Sequence, residues 1–367
     1  MKSRYCLIII LLSVCAFRPA HVLAVSLKVL TINVWSGLDY IGTLKMGEYE
    51  SASQRNVRFQ SLVAQVKEIS PDLIFVQEAN PVASYAADLA AAFSMVEIHQ
   101  VVNGGIKVGS VGIPTNLKEG LVILTRPGLS LQKMGAWKLS GSPGIHSDIL
   151  SFHLEEAVLA LVGKIKVGEG DFFLINVHLV AAPRMPEDMD SFRKSVLGKG
   201  KISGTGFNRA LEEWREREER RTVEIEKLLG HLKLLPPDVP CIVAGDFNAE
   251  PDSLEMGVFL DRSGLTDLLA ESENKKDPDT ESFTWDVGRN ENTSFSASLK
   301  DARGKARRGF GYVSAVAGRK SRRLDYIFLG KNLSGAEASR PRIVLKESIG
   351  GLKPSDHFGV LAEIDFP

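Results

Sequence analysis

The feature that most restricts how this chain can fold is a recurrence of short apolar runs, each rich in Val, Ile and Leu and bounded by Gly, Pro, Asp or Asn. They lie at 27–34, 73–77, 120–125, 172–179, 241–244, 324–329 and 359–364. Runs of this length and composition read as β-strands, because branched side chains pack well on a pleated surface and the flanking residues end an extended segment. Helical periodicity lies between them. At about 53–69, Val57, Leu62, Val63, Val66 and Ile69 form one stripe, and at about 208–234 Ile225, Leu228, Leu229 and Leu232 form another. Nine of the ten residues from Glu212 to Arg221 are charged, which suits a solvated helix face. Pro71 and Pro236-Pro237 stop the helices just before strands. With no internal repeat and no linker-like stretch, this alternation predicts one α/β domain of strands covered by helices.

Three stretches read as loops or insertions, at about 100–119, 181–207 and 286–323. The last gathers Arg303, Lys305, Arg307, Arg308, Arg319, Lys320, Arg322 and Arg323 among glycines and serines. Such a segment suits contact with lipid headgroups, contact with nucleic-acid phosphates, or simple solvation as a mobile insertion.

Composition narrows the class. Hydrophobic residues make up 44% and charged residues 25%, which excludes disordered and fibrous chains. Lys and Arg number 45 against 45 Asp and Glu, so no global positive field is available for nucleic acid. The balance is uneven at the start. Lys2 and Arg4 precede an apolar run from Cys6 to Val14, and small residues lead to Ala24, the pattern of a secretory signal cleaved before Val25. The run is shorter than the about 20 residues that span a bilayer. Removing 1–24 takes away three basic residues and no acid, leaving 42 basic against 45 acidic. It also leaves Cys241 as the single cysteine, most simply a small buried strand residue, so neither a disulfide nor a cysteine metal cluster is expected. The expected organisation is a signal at 1–24, then one exported domain over 25–367, in the periplasm or the medium.

Polar, metal-competent residues recur at the strand ends. Asn33 follows the first run and Glu78 the second, Asn176 and His178 interrupt the fourth, and Asp246 and Asn248 follow the fifth. Asp325 lies within the sixth, and Asp356-His357 precedes the last. One carboxylate at a strand end is commonly a cap or turn residue. Repetition along the chain points instead to one convergent site, since each buried polar group costs a few kcal/mol unless paired. Oxygen ligands from Glu78, Asn33 and an Asp, without a cysteine cluster, suit a hard ion such as Mg2+. His178 and His357 are then free to touch substrate or move protons. Neither a nucleotide-binding P-loop nor a Gly-x-Ser-x-Gly elbow is present, which favours direct attack by water on a phosphorus ester.

The segments Thr31-Ile-Asn33-Val-Trp35, Pro71-Asp-Leu-Ile-Phe-Val-Gln-Glu78, Asn176-Val-His178-Leu, Gly245-Asp246-Phe-Asn248-Ala-Glu-Pro251, Leu324-Asp325-Tyr-Ile-Phe328 and Ser355-Asp356-His357 occur in the order of one motif series. The series resembles that of the endonuclease/exonuclease/phosphatase superfamily, which includes apurinic endonucleases, pancreatic-type deoxyribonucleases, inositol polyphosphate 5-phosphatases and neutral sphingomyelinases. Residues 119–126 also resemble the strand after its second motif. The resemblance covers roughly 27–364. It implies a four-layered α/β sandwich of two packed mixed β-sheets flanked by helices, and it implies roles by matched position. Glu78 is the principal metal ligand with Asn33 beside it, and His357 is the general base oriented by Asp325. Asp246 assists nucleophile or leaving group, Asn248 holds the phosphate, and His178 donates to a phosphoryl oxygen. Asp356 supports a second metal position or the neighbouring histidine. The expected cofactor is Mg2+, with Mn2+ or another divalent ion as substitute.

The Asn33-Val-Trp35 context and the export signal resemble the sphingomyelinase-like members and suggest a phospholipid substrate with peripheral membrane contact. Ser282-Phe-Thr-Trp285 falls where several members place a substrate-side Thr-Trp, although an aromatic packed under a loop explains it as well. Against the lipid reading, no long aromatic hairpin or basic amphipathic helix is evident. An extracellular nuclease is the alternative, and a non-catalytic binding member is a third. No obligate protein partner is expected.

Overall fold

The computed structural model describes residues 25–366 apart from 109–110, 142–143, 149, 154–155, 168–169, 183, 238, 274–282, 297 and 331–336. Residues 1–24, expected to be a secretory signal, and Ser282 therefore lie outside the described residues. The elements run in the order β1 (Val25–Asn33), α1 (Ala52–Ile69), β2 (Leu73–Ala79), α2 (Val82–Phe93), β3 (Val96–Val108), β4 (Val111–Thr125), β5 (Gln132–Ser140), β6 (Gly144–His146), β7 (Leu150–His153), β8 (Val158–Val167) and β9 (Gly170–His178). They continue with α3 (Met189–Gly198), α4 (Gly204–Leu232), β10 (Cys241–Asp246), α5 (Leu254–Ser263), β11 (Leu265–Asp267), α6 (Leu268–Glu273), α7 (Thr293–Ser296), α8 (Gly309–Ala317), β12 (Asp325–Gly330), β13 (Glu337–Val344) and β14 (Gly359–Phe366).

The strands form two mixed sheets, an eight-stranded one in the order β13-β14-β1-β2-β4-β3-β7-β6 and a six-stranded one in the order β11-β12-β10-β9-β8-β5. Each has one parallel pair at its centre, β1 with β2 and β9 with β10, and antiparallel neighbours around it. Central strands bury both faces, which is why they read as nearly unbroken apolar runs. One face of each sheet meets the other sheet through Leu27, Phe75, Ile123, Leu174, Ile242 and Ile327. The opposite face of the eight-stranded sheet is covered by α1 and α2 through Leu62, Val66, Ala86 and Leu89. That of the six-stranded sheet is covered by α4 and α5 through Ile225, Leu228, Met256 and Phe259. The result is the expected four-layered α/β sandwich. Cys241 is a buried free thiol on β10, as expected.

The three stretches expected to be loops are largely ordered elements. Residues 100–119 form most of the β3–β4 hairpin. Its glycines hide the strand pattern, yet they are required there, since a Cβ on Gly105 would lie 1.2 Å from Ile113 O across a register shift. Residues 181–207 contain α3 and the start of α4, and 286–323 contain α7 and α8. These two insertions pack on each other, with Val196, Phe207, Trp214, Tyr312 and Val313 in one apolar cluster. Each is only half amphipathic by itself, so its pattern is weak until its partner is supplied. The basic stretch is solvated only in part: Arg323 is buried against Asp267 at 2.6 Å and Arg322 donates to Ala317 O, while Arg303, Lys305, Arg308, Arg319 and Lys320 are exposed. β8, whose both faces are mostly buried, is a further strand beyond the seven expected.

Candidate active site

The site is assembled where the parallel strands of both sheets end. Pairing of Asp246 with His178 on one side and with Asp325 on the other places three polar residues abreast across the six-stranded sheet. In the eight-stranded sheet Asn33 is paired with Gln77, next to Glu78. Glu78 sits in a break in the β2–β4 register with φ 57°, and Asn248 has φ 51°. Left-handed backbone at non-glycine residues is costly and concentrates where side-chain direction matters. Gly245 is required for the approach of β10 to β9. It has φ 142°, and a Cβ there would stand 1.9 Å from Val177 O.

The Asn33 amide ties the two sheets together. Its Nδ2 donates to Glu78 Oε1 and to Asp246 Oδ2, both at 3.0 Å, while its Oδ1 accepts from Trp35 N and so fixes the amide's orientation. Glu78 Oε2 accepts from Ser36 N at 3.0 Å. On the other side His357 Nδ1 meets Asp325 Oδ2 at 2.8 Å, and His357 Nε2 lies 3.8 Å from Asp246 Oδ2. His178 Nε2 stands between the halves, 3.7 Å from Asp246 Oδ2 and 3.9 Å from Glu78 Oε1. Asn248 Nδ2 donates to Leu179 O, and its backbone N–H donates to Asp246 Oδ1. Asp356 Oδ1 accepts from Ser355 Oγ, whose hydroxyl also bonds Asn33 O. Glu78, His178, Asp246, Asn248, Asp356 and His357 line one cleft of about 1230 Å3. Every expected site residue is therefore in one place. Asn176 is the exception among the strand-end polar residues. It is fully buried between the sheets, bonded to Val76 O, Val122 O and Gln77 Nε2, and belongs to the scaffold.

Electrostatics divides these groups. Burial opposes protonation of His357, but Asp325 and Asp246 outweigh it and hold the imidazole well above its ordinary pKa. Burial likewise works against the His178 cation, which Asp246, Glu78 and Glu119 stabilise. Burial and the nearby Asp325 carboxylate raise Asp246. Burial would raise Glu78 too, yet His178, Ser36 N–H and the Asn33 amide bring it below the usual range. Burial, with the Glu78 charge as a second cause, pushes Glu119 up to about 8. Asp356 is pushed up to about 7 by burial, with Glu78 adding to the shift.

Three participants escaped the sequence reading. Glu119 and Tyr40 meet through a hydrogen bond beside Glu78, and Tyr40 Oη also bonds Ser36 Oγ at 2.8 Å. Nothing local marks Tyr40, while Glu119 was visible only as the start of a strand. Arg58 is buried on α1, paired with Glu50 at 2.6 Å and donating to the carbonyls of Val34, Trp35 and Pro354, so it braces both site-bearing loops. Its place in an amphipathic helix made it look like a solvated charge. The Thr-Trp pair divides between scaffold and cleft. Thr284 Oγ1 accepts from Leu324 N and Asp325 N, and Trp285 lines the cleft edge-on to His357 at 5.1 Å between ring centroids.

The residues suit a divalent cation. Four buried or nearly buried acids, Glu78, Glu119, Asp246 and Asp356, share one cleft, and two of them are raised partly by the Glu78 charge. Asp325 Oδ1 is buried without a hydrogen-bond partner. Such repulsion and such an orphaned oxygen call for positive charge, and an oxygen-rich donor set matches a hard ion. Asp246, Asp325 and His357 also present ligand-capable atoms within 4.8 Å of one another.

Comparison with known proteins agrees with this geometry. Among solved structures of similar fold, a humanised D. rerio TDP2 carrying 14 mutations is 16% identical, covering 92% of this chain and 98% of its own, with a TM-score of 0.55. D. rerio TDP2 complexed with single-strand DNA product is 17% identical, over 92% and 98% of the two chains, with a TM-score of 0.54. The human nocturnin catalytic domain with bound sulfate is 15% identical, over 93% and 95%, with a TM-score of 0.52. Among curated protein sequences none matches this chain. The model of the Endonuclease/Exonuclease/phosphatase family matches residues 30–357, from the strand carrying Asn33 to His357 itself. With the fold, the motif order and the converged site in agreement, the chain belongs to the Endonuclease/Exonuclease/phosphatase family.

Proposed function

We propose that the protein is an exported phosphodiesterase, dependent on Mg2+ or a substituting divalent ion, whose substrate is a phospholipid such as sphingomyelin. The observation that carries the hydrolytic reading is the Asp325–His357 pair, with the free Nε2 of His357 facing Asp246 across from the Asn33–Glu78 pair. Asp325 fixes the imidazole tautomer, so that Nε2 accepts a proton from water as the water oxygen bonds to phosphorus. His178, whose pKa is raised by Asp246, Glu78 and Glu119 against burial, donates to a phosphoryl oxygen. Asn248 keeps its second amide N–H for another. Asp246, whose pKa is raised, carries a proton to the departing oxygen as the P–O bond breaks. Glu78 and Asp356 would hold the cation, while Asn33, expected as a ligand, instead orients Glu78 through its Nδ2 because its Oδ1 is turned to Trp35 N; the ion would supply charge to the phosphoryl oxygens and offset the acid cluster that raises the His357 pKa.

For a phospholipid, the support is the mixed lining of the cleft. Met46, Val102, Pro114 and Leu117 line it together with Arg217, Arg307 and Arg308. The same arginines support nucleic acid as a second reading, as does the likeness to a TDP2 crystallised with a single-strand DNA product. Export rests on the pattern of residues 1–24. The test is a parallel assay on sphingomyelin vesicles, glycerophospholipid vesicles, plasmid DNA, RNA and inositol polyphosphates, with Mg2+ and with chelator. DNA cleavage without lipid hydrolysis would reverse the order, and full activity with chelator would refute the metal dependence.

A further inference from the structure

Large exposed apolar side chains are mostly scattered singly over the described surface, as on any folded protein. Four are not. Tyr40 is 47% exposed, Ile41 43%, Leu44 68% and Ile113 45%, and the segments that carry them are bonded together beside the cleft. Thr115 N donates to Leu44 O at 2.9 Å, and Asn116 both accepts from Met46 N and donates to Met46 O. Tyr40, Ile41, Met46, Ile113 and Pro114 continue from this lip into the lining of the cleft.

The lip is held outward by design of its hydrogen bonds. Asp39 is buried, and its carboxylate accepts from Ile41 N at 2.8 Å, Gly47 N at 2.9 Å and Ala302 N at 3.2 Å. Gly42 has φ 150°, and a Cβ there would stand 2.1 Å from Lys45 O, so the turn is as tight as the backbone permits. Leu44 thus stays at the tip with its ordering cost met by the fold.

Charge around the lip carries a basic excess. Lys300, Arg303 and Lys305 are exposed beside it, and the Arg303 guanidinium donates to Ile41 O at 2.6 Å. Against these three cations stand Asp301, which accepts from the backbone of Arg303 and Lys305, and the buried Asp39, while Glu48 is offset by Lys45 at 3.2 Å. An aliphatic tip flanked by cations matches a surface with negative headgroups over an apolar interior.

We infer that the loop 40–46, the Ile113-Pro114 stretch of β4 and the adjoining Arg303–Lys305 segment form a docking surface for an anionic phospholipid bilayer, with the mouth of the cleft turned toward it. The inference rests on the phospholipid reading of the cleft. No helix among the described residues is long and apolar enough to cross a membrane, and a peripheral seat requires none. The device differs from an aromatic hairpin or a basic amphipathic helix, in being aliphatic and set in a short braced loop.

The experiment measures co-sedimentation of the full chain with phosphatidylcholine vesicles containing phosphatidylglycerol. Turnover of soluble bis-p-nitrophenyl phosphate reports the integrity of the site. Leu44→Ser is expected to weaken vesicle binding about tenfold, the scale of losing one inserted aliphatic side chain. Lys305→Glu should weaken it severalfold at low salt and little at high salt. Leu44→Trp should retain binding and shift its emission to the blue on vesicles. Soluble turnover should stay within about twofold in all three, since none of these residues lies among the groups that handle the phosphoester. Wild type that ignores the vesicles, or variants that bind as well as wild type, would overturn the inference. So would self-association abolished by Leu44→Ser with vesicle binding unchanged, which would mark a protein contact. DNA cleavage with no lipid hydrolysis, alongside vesicle binding lost in Leu44→Ser, would sink the substrate reading and leave the docking surface standing.

Discussion

Asn176 offers a quantitative test of how the scaffold supports the site. Its side chain is fully buried between the two sheets, donating to Val76 O at 2.9 Å and Val122 O at 2.8 Å and accepting from Gln77 Nε2 at 2.7 Å. Both carbonyls lie at the β2–β4 register break that turns Glu78 into the cleft. In Asn176→Leu, of similar volume, the two carbonyls lose this donor and the Gln77 amide, which keeps Thr31 Oγ1 at 3.2 Å, loses one of its two acceptors where water cannot replace it. At about 1 kcal/mol for each lost bond, the variant should lose about 3 kcal/mol of stability. For a chain of this length that is a fall of about 4 °C in midpoint, read by calorimetry or by urea unfolding. Because Glu78 leaves the same break, the divalent-ion concentration for half-maximal phosphodiesterase activity should rise severalfold, with a smaller change in the rate at saturating ion. Stability within about 0.5 kcal/mol of wild type, together with unchanged ion dependence, would refute the claim that this amide holds the break in place.

His357→Ala should keep the wild-type melting profile within a few degrees and lose about 10²- to 10⁴-fold in turnover of bis-p-nitrophenyl phosphate, the usual contribution of a positioned base. A rate near wild type would remove His357 from the chemistry. Glu78→Ala should shift the Mg2+ titration of activity to much higher concentration, and calorimetric titration of the ion should show the loss directly. Without added metal, stability should fall as pH rises from about 5 to 8, because Glu119 keeps its proton up to about 8 when folded but gives it up near 4.5 when unfolded. The unfolded chain then binds fewer protons through that window, so the slope is negative, and Glu119→Gln should flatten it by an amount on the order of 2 kcal/mol. An identical pH profile in that variant would show that Glu119 does not titrate in this window.

Much of the site was legible because its residues break strong patterns. Glu78 after Leu-Ile-Phe-Val-Gln and Asp246 after Ile-Val-Ala-Gly interrupt runs that otherwise read as central strands, and His357 stands just before the last of them. What escaped lacked such contrast. Tyr40 lies in a loop with no regular pattern and reaches Glu119, 79 positions along the chain, only after the intervening segment has folded. Arg58 looks like any exposed helical cation until Glu50 and three carbonyls surround it. Asn176 looked like a site residue because polarity on a strand carries no label saying whether it faces a cleft or the opposing sheet.

Local chemistry therefore determined the strands, the covering helices and the set of groups able to bind a hard cation and move protons. The spacing of polar and apolar residues along each strand is itself the record of burial. Tertiary structure alone decided which acids crowd together enough to shift one another's protons, and that two weakly patterned insertions would become a wall of the cleft. It also decided that Leu44 would remain outside. Those properties depend on distances of a few ångströms between segments remote in sequence, and Coulomb and packing energies are functions of those distances.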